Sequence, residues 1–472
     1  MRHVLAGLTL ALAAAMPPVV ASDAPMQPPV SAAAMQLVPM HDAVERARDA
    51  SAFLSSRSID AASIPRHLVT SLADGGAGSL REAIDAANAA PGMAVIEFQS
   101  TLAGTIQFNN GPLEIQDSVI LLGPGARYLT LDGGRLNRVL SIRAMDGRAL
   151  DVLLLGLTVS GGYSTLGAGI SSVGANLTLG DCVLTDNHTR NSIAAEIGGG
   201  LYQRGGSLHI DRCVFRNNSA GTYGGGIAVK DASVSIQDSS ISSNLAGSGA
   251  GLHVDTAAPF VLRRTLVAFN EASQSGGGLA LNTPSYPALI ENSTFSGNSA
   301  YDEPASGAGI AASGKVKIAF STIADNRLNR RLADGAGAGV HFDDATGLLR
   351  LEAALLAGNK ALDGDVDLGR ASGTIDAIVS LVDTQTTNAL NGYGLGNLLG
   401  VDPKLAPLAD NGGPTPTHAI AADSPARDVG TGAGYSPVNT DQRGYERRWP
   451  EPVDIGAYEY GADRLLTDGF DG

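Results

Sequence analysis

The sequence predicts an all-β fold: a single-stranded right-handed parallel β-helix, or solenoid, with a short N-terminal capping helix. Three observations predict it. Seven times between residues 167 and 359 the chain repeats a glycine cluster, an alternating stretch, a bend, a second stretch and an asparagine. Those asparagines are Asn187, Asn218, Asn244, Asn270, Asn298, Asn326 and Asn359, at intervals of 31, 26, 26, 28, 28 and 33 residues. Counted back from each, apolar residues recur ten, eight and three places before, and a small residue stands five before. Glycine makes up 60 of 472 residues, well above the usual ~7% and more than helical repeats tolerate.

Each part of the chain follows from its residues. Residues 1–21 read as a signal peptide: Arg2 and His3, an apolar run from Val4 to Ala15, then a small-residue exit at Ala21. That run is too short to span a bilayer, and no later segment reaches the ~18 apolar residues a spanning helix needs. Residues 22–66 read as a Pro/Ala-rich linker with one helix near 42–54. The cap occupies 67–92. There Ser79 and Glu82 form the pattern of a capping box, and Leu80, Ala83, Ile84 and Ala87 share one helical face. Such a helix plugs the open end of a solenoid, whose first coil otherwise exposes core and strand edges. Early, less regular coils span 93–166, with strands around 95–98, 105–108, 119–122, 129–131 and 152–159.

The regular repeats span 167–359. Apolar residues two apart have strand period, and the parity change between eight and five places before the asparagine demands a bend. The two residues there, such as Asp211-Arg212, Gln237-Asp238, Arg263-Arg264 and Glu291-Asn292, are mostly polar and are expected to face solvent. A third strand follows each glycine cluster, as in Ile227-Ala228-Val229. Three strands per unit make one coil; stacked coils lie about 4.8 Å apart and share a continuous core. The asparagine column is expected to form a buried amide ladder along the axis. Leucine-rich repeats and β-propeller blades need other spacings. Last coils are placed at 360–400, a C-terminal segment at 401–460 and a tail at 461–472.

Some segments resemble known families. Asp74-Gly75-Gly76-Ala77-Gly78-Ser79-Leu80-Arg81-Glu82-Ala83-Ile84 resembles the CSLREA segment of bacterial secreted β-helix proteins, with Gly78 where that motif has cysteine. The glycine clusters and the Phe/Ile/Leu-x-x-Asn endings are similar to the repeats of chlamydial polymorphic outer membrane proteins. Asp410-Asn411-Gly412-Gly413-Pro414-Thr415, Thr417-His418, Asp423-Ser424-Pro425-Ala426, Thr440-Asp441-Gln442-Arg443-Gly444 and Asp454-Ile455-Gly456-Ala457-Tyr458-Glu459 resemble the choice-of-anchor Q domain, with Arg427 as a departure. These resemblances imply an exported bacterial protein, outside the cell or on its outer membrane surface. They imply no particular chemistry.

Composition excludes some partners. The net charge is −15 and the pI about 4.9, which disfavours nucleic acid and anionic membrane, both of which need a basic footprint. No cofactor is expected. Cys182 and Cys213 share the small-residue column in adjacent coils. Their in-register side chains point the same way, a poor torsion for bridging, so two buried thiols are expected rather than a disulfide.

Two sets of residues are candidates for chemistry. Alternation turns Tyr202, Ala228, His253, Ala280, Ala311 and His341 outward in one column. It turns Arg204, Lys230, Asp255, Asn282, Ser313 and Asp343 outward in the next. Arg204, Lys230, His253 and Asp255 thus cluster across three coils. The placement is similar to the strand face that polysaccharide lyases of β-helix fold use, where a basic side chain abstracts a proton beside a uronate carboxyl. An outward strand face is polar by default, so a surface without catalysis is the other reading. Asp363, Asp365 and Asp367 resemble the start of a calcium loop, but Leu368 and Thr374 stand where its glycine and closing glutamate belong; a solvated turn is expected. Two functions stay open: adhesion or contact with carbohydrate and cell surfaces, or a carbohydrate-active lyase or epimerase centred on Lys230 and His253.

Overall fold

The structure is a computed structural model that describes residues 40–143, 148, 150–190, 196–302, 305–330, 336–394, 396–430, 438–447 and 452–462. The signal peptide expected at 1–21 lies outside the described residues, as does the tail beyond 462.

The chain is a right-handed parallel β-helix. A regular coil has four strands rather than the three expected. In one coil these are Leu252–Asp255 (face I), Phe260–Arg263 (face II), Leu266–Ala268 (face III) and Glu271–Ala272 (face IV). The face IV strand has two residues, too few for any periodicity to show. Each strand pairs in parallel and in register with its counterpart in the next coil. Face III runs unbroken from Gly104–Gln107 to Leu398–Leu399. The apolar columns lie inside as expected: Leu208, Ile210 and Phe215 of one coil stack on Val234, Ile236 and Ile241 of the next, all buried. One early stretch departs from expectation. The strand foreseen at 152–159 is two, Leu150–Leu155 and Thr158–Ser160, broken at Gly156 with φ +61°.

Besides the glycine turn, as at Gly224 (φ +64°), two corners of a regular coil carry left-handed backbone. The first is six places before the asparagine, at Asp181, Arg212, Asp238, Arg264, Asn292, Phe320 and Ala353; the second is just before it, as at Ser243 (φ +55°) and Phe269 (φ +56°). Asx residues and glycine tolerate that conformation best; the coil geometry imposes it on the others. At the glycine turn, a Cβ on Gly226 would stand 2.6 Å from the Gly251 carbonyl oxygen and 3.1 Å from Asn244 Nδ2, so coil stacking admits no side chain there.

The amide ladder forms. Asn218 Nδ2 and Asn218 N both donate to Asn244 Oδ1 at 3.0 Å, and Asn244 does the same to Asn270 Oδ1 at 2.9 and 3.0 Å. The pattern continues through Asn298 and Asn326 to Asn359. The small-residue column is a second ladder. Cys213 N donates to Ser239 Oγ at 3.0 Å, Thr265 N to Ser293 Oγ and Ser293 N to Ser321 Oγ at 3.2 Å each, so the column selects an acceptor as well as small size. Cys182 and Cys213 are buried free thiols, with Cys182 N 3.4 Å from Cys213 Sγ.

One helix docks on the side of the solenoid and the other closes its end. Helix α1 (Ala43–Ser56) lies within the segment read as a linker, and it is docked. Asp42 caps it, accepting from Val44 N and Glu45 N, while Glu45 accepts from Asp42 N. Ala50, Phe53 and Leu54 pack on Val95, Ile120, Leu153 and Leu155, the outer side of the early coils. Burying each large side chain contributes roughly 1.5–3 kcal/mol. Helix α2 (Leu80–Ala89) is the expected cap, with Leu80, Ala83, Ile84 and Ala87 in the core. Its box differs in one half: Ser79 accepts from Glu82 N, but Glu82 reaches back to Gly78 N at 2.7 Å.

The bend residues expected at solvent are covered at both ends. Asp181 lies under the α1 segment and is fully buried. Asn292, Phe320 and Ala353 are buried where the described residues of the C-terminal segment, among them Ile420, Thr440, Val453 and Ile455, fold back over face III. Thr294 Oγ1 donates to Gln442 Oε1 at 2.6 Å and Ala457 N to Thr322 Oγ1 at 3.0 Å. His418 Nδ1 is 2.8 Å from the Ala406 carbonyl, so Nδ1 carries the proton and Nε2 accepts from Ser296 Oγ at 2.9 Å. Burial lowers its pKa, in keeping with a neutral ring.

The back-folded segment holds a buried charge cluster. Arg443 pairs with Asp441, Arg447 pairs with Glu459, and Asp454 adds a third carboxylate. Three carboxylates face two guanidiniums. Burial pushes the Glu459 carboxyl up to about 7 against Arg447, and Asp454 adds to the rise. The folded state therefore binds this proton more tightly than the unfolded chain does. The resulting stabilisation is full below about 4.5 and is lost as pH rises through about 7. The protein is expected to be more stable at pH 5 than at pH 8 by on the order of 1–3 kcal/mol, seen as a higher unfolding temperature, and Glu459→Gln is expected to flatten that difference. An unaltered pH profile in the variant would remove Glu459 as its source.

Candidate functional site

Face I gathers the outward residues as the alternation requires. Tyr202, Ala228, His253, Ala280, Ala311 and His341 are successive in-register neighbours. Arg204, Lys230, Asp255, Asn282 and Ser313 are the neighbours two residues on. The first column is less exposed than expected, because the glycine turn rises beside it: Tyr202 and Ala228 are buried. Asp343 stands one residue past its strand, Val340–Phe342, and accepts from Ser372 Oγ at 2.7 Å.

The second column is bonded along its length. Lys230 Nζ is 3.3 Å from Asp255 Oδ2, Asn282 Nδ2 donates to Asp255 Oδ1 at 2.9 Å, and Ser313 Oγ donates to Asn282 Oδ1 at 3.0 Å. Lys230 and Asp255 are half-exposed, so their pair adds only about 0–1 kcal/mol to stability. Its importance is chemical: the Lys230 ammonium is engaged by the carboxylate, and both Asp255 oxygens are occupied. His253 stacks on Tyr223 at 4.4 Å between ring centroids. Burial lowers its pKa to about 4 despite Asp255 nearby, so its ring is neutral across physiological pH. The four candidates Arg204, Lys230, His253 and Asp255 are thus brought onto one face. There Lys230, Asp255, Asn282 and Ser313 present a stripe of cation, acid, amide and hydroxyl at strand spacing, with His253 and Tyr223 as an aromatic shelf.

Two aromatic features of this surface escape pattern reading. Tyr223 sits in the turn before Gly224, where no period applies. Tyr286 is exposed on an excursion between Thr283 and Ala288, where the pairing with the next coil shifts register inside the strand Leu279–Glu291. The proline on each side of Ser285-Tyr286 was the available signal.

Neither metal candidate holds on geometry. Asp363 and Asp365 are exposed, whereas Asp367 is fully buried and ends the amide ladder. Asp367 Oδ1 accepts from Asn359 N at 2.8 Å and Nδ2 at 2.6 Å; Oδ2 accepts from Thr384 N at 2.8 Å and Thr384 Oγ1 at 2.5 Å. Burial raises its pKa against these bonds. The three obligate N–H donors, Asn359 N, Asn359 Nδ2 and Thr384 N, favour the ionised form. His41, Asp49 and Asp181 also approach one another, with ligand atoms within 4.8 Å. Arg212 already supplies the cation there: Nη2 is 2.8 Å from Asp49 Oδ2, Nε is 3.1 Å from Asp181 Oδ1, and Nη1 contacts Asp211. The group is an ion-pair lock between α1 and the coil bend.

Residues 160–349 match the family model described as the right handed beta helix region. No curated protein matches. Among solved structures, the crystal structure of pectate lyase Pel9A is similar at 13% identity, covering 84% of this chain and 97% of that chain, with a TM-score of 0.39. Similarity at that level carries no argument about chemistry.

Proposed function

We propose that this right-handed β-helix is an exported surface protein that works by adhesion, holding carbohydrate or a neighbouring cell's surface without a catalytic step. The observation that carries the reading is the bonded column Lys230–Asp255–Asn282–Ser313. Its acid and base are committed to each other, and its exposed amide and hydroxyl groups match the hydrogen-bonding character of sugar hydroxyls. Tyr223, stacked on neutral His253, adds an apolar platform of the kind a sugar ring packs against. The signal-like start, the resemblance of 401–460 to the choice-of-anchor Q domain and the acidic composition support export and surface display.

The test uses the full mature chain with uronate and neutral polysaccharides, with and without calcium. Pull-down, reducing ends and absorbance of unsaturated ends are read in the same samples. Retention of a polysaccharide is expected, falling several-fold in Lys230→Ala, with no products in either protein. Products formed by the wild type and lost in Lys230→Ala would overturn the proposal in favour of a lyase.

A further inference from the structure

A cavity of about 640 Å³ opens between the N-terminal end of α1 and the outer side of face III, away from the face I column. Three arginines line it: Arg46, Arg127 and Arg216. Arg46 is 4% exposed; its terminal nitrogens donate to the carbonyls of His41 and Pro124, and its Nε has no partner. Arg216 Nε is also buried without a partner. Arg127 lies over the Tyr128 ring at 4.6 Å. Among the described residues none of the three is ion-paired to a carboxylate. Asp42 is the single carboxylate in the described lining, and its Oδ1 is taken by Val44 N and Glu45 N.

Arg46 is buried, Arg216 half-buried and Arg127 exposed. The carboxylate nearest to Arg46 in the lining is Asp42, which is exposed and committed to capping α1, so the Arg46 guanidinium is withdrawn from water at a cost that no buried counter-charge offsets. A cluster of three runs against the composition of a chain whose net charge is −15. The positive end of the α1 dipole faces the same space. We propose that this cavity binds a ligand bearing an oxyanion, phosphate or carboxylate, which the Arg46, Arg127 and Arg216 guanidiniums engage. The planar guanidinium fork suits both groups; on the walls the Thr185 hydroxyl, which donates to Asp186 Oδ2 at 2.7 Å, can accept from the remainder of the ligand, and Tyr128 can accept or donate. The site is separate from the face I stripe and does not depend on the adhesive reading.

The test is calorimetric titration of the full mature chain with sodium phosphate and with sodium glucuronate, at constant ionic strength, with glucose as the neutral control. Saturable binding of one or both anions is expected, and the tighter arm identifies the source of the oxyanion. Arg216→Gln is the informative variant because Arg46 also holds α1 through its carbonyl bonds. It is expected to weaken binding about tenfold or more, as loss of a charge-assisted bond should. Lys360→Gln, which removes an equal charge from exposed face IV, is expected to bind as the wild type does. Absence of saturable binding by both anions, or unchanged affinity in Arg216→Gln, would overturn the proposal.

Discussion

Asn244→Ala is expected to destabilise the solenoid by about 3–5 kcal/mol, far more than one side-chain hydrogen bond contributes. Asn244 Oδ1 is the shared acceptor for Asn218 N and Asn218 Nδ2, while Asn244 Nδ2 donates to Asn270 Oδ1 and to the Phe215 carbonyl. Asn218, Asn244 and Asn270 are all at most 1% exposed. Truncation therefore orphans two buried donors at about 1–3 kcal/mol each and leaves a cavity beside Gly226, the residue packed on that amide. Because each coil contacts only its neighbours, the loss should centre on the coils around 218–270. Hydrogen exchange should show protection falling there first, with a lower midpoint in denaturant. An unchanged midpoint would mean that the amide column is not what holds the corner.

Arg447→Ala is expected to release the C-terminal segment from face III, at a cost of about 3–5 kcal/mol, the range for breaking one side of a buried ion pair. Arg447 Nη1 donates to Glu459 Oε2 at 2.7 Å and the Asp454 carbonyl at 3.2 Å; Nη2 donates to the Gly456 carbonyl at 2.7 Å and Asn292 Oδ1 at 3.3 Å. Its guanidinium also lies over the Phe320 ring at 4.7 Å. One side chain thus joins three parts of the segment to the coil corner. Proteolysis within 401–462 should accelerate while the ladder coils stay protected. The effect should be larger at pH 8 than at pH 5, because at the lower pH Glu459, with its pKa near 7, is protonated and leaves no bare charge behind. Equal protease resistance in the variant and the wild type would show that the apolar contacts of Ile420, Val453 and Ile455 hold the segment alone.

Much of this was legible in the residues. The columns that end at Asn244 and its counterparts assign the inside of every regular coil, because strand period and repeat length together leave one register. The face I columns follow from the same alternation, so Lys230 beside Asp255 and His253 beside Ala228 were readable in advance. The docked segments were signalled but not assigned. Val119-Ile120-Leu121-Leu122, Leu153-Leu154-Leu155 and Leu355-Leu356-Ala357 are apolar without alternation, the mark of a strand covered on both sides. That pattern says that something covers Ile120, Leu153 and Leu355. It does not say that α1 covers the first two and that Ile420, Val453 and Ile455 pack with the third.

The sequence by itself determined the solenoid, its inward columns, the amide ladder and the N-terminal cap, because each depends on contacts between neighbouring repeats whose spacing is written in the chain. Tertiary structure alone decided what the non-repeating parts do. Asp367 became the buried last rung of a ladder instead of part of a solvated turn. Arg212 closed on Asp49 across 163 residues, and Arg447 met Asn292 across 155. Such contacts join segments with no common period, so no local pattern encodes their meeting. Only the folded path of the chain brings those charges within reach and shows which ones, such as Arg216, have no carboxylate partner among the described residues.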